Sequence, residues 1–200
     1  MIPRLITNSL IENLKPGFVT GLFGARRTGK TFLMEHIKGT ITHAKVLMVQ
    51  GENLDVAEIL SSRRLSLLKQ FTAGYDYLFI DEAQKIPSIG INLKLMVDTI
   101  PEIAVFVTGS SAFDLKNQLG EPLTGRSKYF YLHPFAQVEM NEGFLTAKEN
   151  LESRLIYGAY PQVITAGTNN EKTDVLESIK NGALIKDILA LDNLKDSTFI

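Results

Sequence analysis

The chain has 200 residues, 44% of them hydrophobic and 22% charged, and carries a formal charge of −1. That size suits one sizeable core with a small appendage, and the composition is that of a folded chain rather than a disordered one. The near-neutral charge gives no footing for strong nucleic-acid or membrane-surface binding, and the absence of cysteine excludes disulfides and thiolate metal sites.

Met1-Ile2-Pro3-Arg4 lacks the basic-then-apolar layout of a signal peptide. No uncharged apolar run approaches the roughly 18 residues that span a bilayer, so a cytoplasmic location is expected. The turn Lys15-Pro16-Gly17 introduces an apolar strand at Phe18–Phe23. A helix is predicted from Lys30 to about Lys38, with Gly39 as its C-terminal cap. Val46–Val49 reads as a second strand, and residues from about Asn53 to Phe71 as two short helices broken near Ser61-Ser62. Tyr77–Ile80 is a buried strand running into Asp81-Glu82. Ile91, Leu93, Leu95, Met96 and Ile100 suggest a helix that stops before Pro101. A fourth strand, Ile103–Val107, ends in Thr108-Gly109-Ser110-Ser111, and a short helix from Ser111 to about Leu119 follows. Lys128–Leu132 is the fifth strand.

Beyond Pro134 the strand signals fade. Helices are predicted over Phe135–Gly143, Ala147–Tyr157 and Thr173–Leu191, with Gly158 and Pro161 marking a turn. This alternation predicts an α/β fold with a largely parallel sheet over residues 1–133, then a helical appendage over 134–200.

Four motifs carry chemistry. Gly24-Ala25-Arg26-Arg27-Thr28-Gly29-Lys30-Thr31 follows a strand and opens a helix. Backbone N–H groups at a helix N-terminus can converge on a polyphosphate, and glycine at each end lets the backbone turn and approach it. Lys30 would pair with the β- and γ-phosphates and the Thr31 hydroxyl would ligate Mg²⁺, the cradle extending from Gly24 to Phe32. The strand ending in Asp81-Glu82 places a carboxylate for the metal beside a second one for water; it lies next to the cradle's strand or one place removed. Proteins that only bind nucleotide manage with the aspartate, so Glu82 favours hydrolysis. Thr108, at the carboxyl end of the fourth strand, can hydrogen-bond the γ-phosphate or the attacking water, and Ser110 is a weaker candidate for that role. Arg126 follows Gly125 before the fifth strand and by spacing alone is an ordinary surface arginine. His36, His43 and His133 show no metal-ligand spacing, while Gln84, Lys85 and Pro87 continue the loop after Glu82 and could line the site, as loop residues do by default.

Together, Gly-x-Arg-Arg-x-Gly-Lys-Thr, Leu-Phe-Ile-Asp-Glu-Ala-Gln-Lys-Ile, Thr-Gly-Ser-Ser and Leu-Thr-Gly-Arg resemble the AAA-type ATPases common in bacteria and archaea, relatives of the signal-transduction ATPases with numerous domains. Leu132-His133-Pro134-Phe135 and Tyr157-Gly158-Ala159-Tyr160-Pro161 extend the resemblance to about Asp187. The resemblance implies a P-loop ATPase with sheet order 5-1-4-3-2 and ATP and Mg²⁺ as cofactors. It implies a helical or winged-helix lid carrying Gly158 and Pro161 near the base, although Ala159 stands where a second glycine is common. It also raises Arg126 to a candidate arginine finger, in cis or from a neighbouring subunit. Relatives usually continue into a nuclease-like domain, so a truncated or shortened member is expected. The expected activity is Mg²⁺-dependent ATP hydrolysis coupled to conformational change, with a homo-oligomer or a partner protein to act on. The alternative is an ATP-gated switch with negligible turnover alone. A helicase-like motor and a small-molecule kinase rank below both, the first for want of a second motor domain, the second for want of an arginine-rich lid.

Overall fold

A computed structural model describes residues 2–110 and 122–184. The helix expected over Ser111–Leu119 and the end of the one expected through Leu191 lie outside these residues.

Five strands form one parallel sheet in the order β2-β3-β4-β1-β5: β1 Phe18–Phe23, β2 Val46–Gln50, β3 Tyr77–Asp81, β4 Ala104–Gly109 and β5 Ser127–Tyr131. The order is the one implied by the resemblance, with β4 between the strands that carry the glycine loop and the acidic pair. Parallel neighbours need crossovers, and helices supply them: α2 Lys30–Thr40, α3 Leu54–Ser61 with α4 Leu65–Thr72, and α5 Ile89–Thr99. Period-two alternation sends side chains to both faces of the sheet. Val19, Phe23, Leu78, Ile80, Val105 and Val107 pack with Leu60, Leu68, Leu93 and Met96 from α3, α4 and α5. Leu22, Phe79 and Phe106 point the other way, against Met34 and Ile37 of α2 and Leu10 of α1, Thr7–Glu12. The rings of Phe79 and Phe106 meet edge to face at 5.2 Å, a favoured aromatic geometry.

Three expectations need correction. Gly39 does not end α2; the helix continues to Thr40, whose hydroxyl donates to the Ile37 carbonyl at 2.7 Å. Phe135–Gly143 is not a helix but holds only a 3₁₀ turn, Gln137–Met140, closed where Asn141 turns left-handed at φ 47°. Pro161 opens a short helix rather than a turn, because proline suits a helix's first residue, where its missing N–H would have no partner. The six-residue α1 was not anticipated, since it buries only Leu10 and so shows no periodicity.

The chain divides into two compact units. The larger, Leu5–Gly24 with Lys30–Leu132, holds the whole sheet and α1 to α5. The other gathers the residues up to Arg4, the segment Ala25–Gly29 and the chain from His133 onward. In this second unit lie α6 Phe144–Glu149, α7 Leu151–Tyr157, α8 Pro161–Thr165 and α9 Asn169–Ile179. Thr168 and Glu171 form a reciprocal cap on α9, and no strand occurs there among the described residues. No described helix is long and apolar enough to cross a membrane.

Candidate active site

The glycine loop leaves the carboxyl end of β1. Gly24 has φ 154°, and a Cβ there would lie 2.2 Å from the Leu132 carbonyl oxygen, so no other residue fits. Leu132 is held close because its N–H donates to the Phe23 carbonyl at 2.7 Å. Gly29 has φ 95°, again a glycine conformation, and Arg27 takes a left-handed turn at φ 64°. A non-glycine residue held there costs on the order of 1 kcal/mol, and such strain concentrates at functional sites. The Thr28 hydroxyl donates to the Ala25 carbonyl at 2.9 Å and closes the loop on itself. Lys30 is 5% exposed, and its Nζ donates to the Gly24 carbonyl at 2.9 Å, across the concavity expected to receive phosphate. Of the remaining cradle residues, Arg26 is half-buried, Ala25 is exposed, and Phe32 is 55% exposed on the first turn of α2.

The acidic strand delivers Asp81 to the same end of the sheet. The Thr31 hydroxyl donates to Asp81 Oδ2 at 2.7 Å, joining the first turn of α2 to the tip of β3. Thr108, fully buried at the tip of β4, donates to Asp81 Oδ1 and accepts the Glu82 N–H at 3.1 Å. Its hydroxyl thus orders both carboxylate residues rather than facing open space. Glu82 itself turns left-handed at φ 52° directly after β3 and leads into the 3₁₀ turn Ala83–Lys85. The pair Thr31 and Asp81 offers one hydroxyl and one carboxylate oxygen, the modest protein share typical of Mg²⁺ bound with phosphates and water. Among the described residues no group of three or more histidines and carboxylates could hold a metal by itself.

Arg126 is not brought to this end of the sheet within its own chain. Its carbonyl accepts the N–H of Val19, near the start of β1, while the loop departs from Phe23. Four residues of strand separate them, about 13 Å of rise. The guanidinium pairs with Asp98 at 2.8 Å and is half exposed. Within its own chain the side chain turns toward the C-terminal end of α5, beside the amino ends of the strands.

From sequence alone, Gly51 and Arg4 have no expected role, and Gln84 only that of lining the site. Gly51 follows β2, and a Cβ there would come within 2.5 Å of the Glu82 carbonyl oxygen. A glycine after a strand is by default a turn residue, so only the three-dimensional approach reveals it. Gln84, expected to line the site as part of the loop after Glu82, donates through Nε2 to Glu82 Oε2 and to Ser110 Oγ. Arg4 donates to the carbonyls of Thr28 and His133, pairs with Glu139 at 3.2 Å and covers the Phe135 ring at 4.5 Å. Burial lowers the pKa of its guanidinium, opposed by the nearby Glu139 carboxylate. Arg4 therefore fastens the N-terminal residues and the loop apex to the turn after Pro134, a role with no local sequence signal.

A five-stranded parallel sheet in this order, with a glycine loop on β1 and a carboxylate pair on a strand one place removed, defines an AAA-type P-loop fold. Residues 17–141 match the family model AAA_14, described as an AAA domain, and the chain belongs to that family. A sequence comparison with curated proteins gives no match. Among solved structures, the Walker-type ATPase PABY2304 of Pyrococcus abyssi superposes with a TM-score of 0.63 at 15% identity, over 96% of this chain and 76% of that one. A signal-transduction ATPase with numerous domains from Pyrococcus horikoshii, PH0952, which has a tetratricopeptide-repeat sensor, gives 0.54 at 17% identity. That match covers 90% of this chain but only 32% of the other. Domain III of the Thermotoga maritima replication initiation protein DnaA gives 0.53 at 13% identity, over 96% and 93% of the two chains. At these identities the likeness is one of fold.

Proposed function

We propose that the chain binds ATP together with Mg²⁺ and hydrolyses its terminal phosphate, coupling turnover to conformational change. The observation that carries this reading is the 2.7 Å contact of Thr31 with Asp81, with Glu82 next in the chain, at the strand ends where the glycine loop opens. Lys30 would exchange the Gly24 carbonyl for the β- and γ-phosphate oxygens. Thr31 and Asp81 would hold Mg²⁺, which when bound offsets the negative charge of the triphosphate. Glu82 accepts a proton from water as the water oxygen attacks the γ-phosphorus. The bond from that phosphorus to the β–γ bridging oxygen breaks, and ADP leaves with the electron pair. Thr108 keeps the two carboxylates in register. Arg126 enters this scheme only from a neighbouring copy of the chain, and only after leaving Asp98.

Phosphate release by the wild type and by Glu82→Gln, each with Mg²⁺ and ATP, tests the reading. Loss of a positioned base costs about 10²-fold or more, so the variant is expected to fall by at least that factor while still binding ATP. Equal rates in both proteins would contradict it. Tight ATP binding with no turnover in either would instead support the switch.

A further inference from the structure

We infer that Gln84, with Ser110, is a positioning residue for Glu82 and for the water that Glu82 activates. The inference rests on the hydrolytic reading above and concerns one short segment, the 3₁₀ turn Ala83–Lys85 that follows Glu82. Gln84 Nε2 donates to Glu82 Oε2 and, at 3.0 Å, to Ser110 Oγ. Ser110 Oγ in turn donates to the same Glu82 Oε2 at 3.3 Å. Two donors, one from the turn and one just past β4, thus converge on a single carboxylate oxygen. Oε1 of Glu82 makes no hydrogen bond among the described residues and is left to accept a proton.

The second observation lies on the other end of the same amide. Gln84 Oε1 is buried and has no hydrogen-bond partner among the described residues. Buried acceptors in folded proteins are satisfied in the large majority of cases, so an orphan beside a candidate base marks a place for an O–H donor. A water molecule with two protons matches two acceptors there, Glu82 Oε1 and Gln84 Oε1. With one hydrogen bond to each, its lone pair is turned toward the phosphate, and the proton passing to Glu82 is already aligned. Glu82, left-handed at φ 52°, opens the turn that carries Gln84 two residues on, so base and amide belong to one short segment.

The experiment is a double-mutant cycle on steady-state ATP hydrolysis, using Gln84→Ala and Glu82→Gln alone and together, with ATP affinity measured by calorimetry. Gln84→Ala is expected to lower kcat by ~10²-fold with KM and ATP affinity changed less than threefold, because the amide touches base and water but not nucleotide. Combined with Glu82→Gln it should add less than a further twofold loss, since residues acting on one water behave as a unit. Ser110→Ala, which removes only one of the two tethers, should lower kcat by a smaller factor in the same direction, and it carries the test if Gln84→Ala does not fold. If the losses multiply, or if Gln84→Ala and Ser110→Ala leave kcat within twofold of wild type, the inference is overturned while hydrolysis by Glu82 stands. A wild type whose turnover does not depend on Glu82 overturns the hydrolytic reading and this inference with it.

Discussion

Gly51 follows the last residue of β2, and its N–H donates to the Asp81 carbonyl at 2.7 Å. A methyl group at that position would sit 2.5 Å from the Glu82 carbonyl oxygen and 3.1 Å from that of Asp81, both backbone atoms that no side-chain rotation can move aside. Gly51→Ala therefore has to displace the turn that carries Glu82, and relief through the strand would disturb the β2 to β3 pairing. A displacement of about 1 Å in a catalytic group can cost 10²-fold in rate. The expected outcome is a kcat reduced by roughly that factor, with ATP affinity nearly unchanged because the glycine loop lies on a different strand. Kinetics and calorimetry on the same preparation check this, and a variant with wild-type kcat would show that Glu82 does not need its observed place.

The elements share their work unevenly. β3 and β4 are buried along nearly their whole length and present the site at their tips, whereas β5 is an edge strand with partly exposed side chains. Besides the backbone ladder, Tyr129 packs it on β1: its ring lies 5.3 Å from that of Phe23 and would come within 2.7 Å of a Cβ at Gly21. Burial raises the Tyr129 phenol above its ordinary value of 10.0, and the hydrogen bond donated by Ser127 pulls partly the other way. A raised pKa means that the fold favours the neutral phenol. That contribution is present in full below the ordinary value and is lost as pH rises through the raised one. Stability should therefore decline in alkaline solution above pH ~10, and Tyr129→Phe should flatten the decline. Denaturant unfolding of both proteins across that range checks the point; parallel alkaline losses would contradict it.

At the scale of the whole molecule, the sheet was legible in the sequence, as was the meeting of the glycine loop with Asp81 and Thr108 at its carboxyl end, for physical reasons. Long apolar runs such as Tyr77–Ile80 and Ile103–Val107 have little choice but to be buried strands. A glycine-bracketed loop between strand and helix has few uses besides holding an anion. Legibility failed where structure depends on contacts distant in the chain. The helix Thr7–Glu12 exists because Leu10 reaches the core beside Met34 and Ile37, and no periodicity announces one buried residue. Gly39 reads as a helix stop, yet α2 runs through it to Thr40. Arg126 reads as a surface residue by spacing and as a finger by resemblance, and the parallel register places it at the amino end of β5, beside Val19, while the loop leaves β1 after Phe23. Gly51 and Gln84 acquire meaning only once β2, β3 and β4 stand side by side.

Glu82 is proposed as the group that activates water once ATP is held by the loop from Gly24 to Thr31. Single-turnover conversion of pre-bound ATP, with enzyme in excess and Mg²⁺ present, tests this without interference from product release. Wild-type protein is expected to convert bound ATP to ADP and phosphate, and Glu82→Gln to bind ATP equally well but retain it about 10²-fold longer. Conversion at the same rate in both proteins would contradict the account.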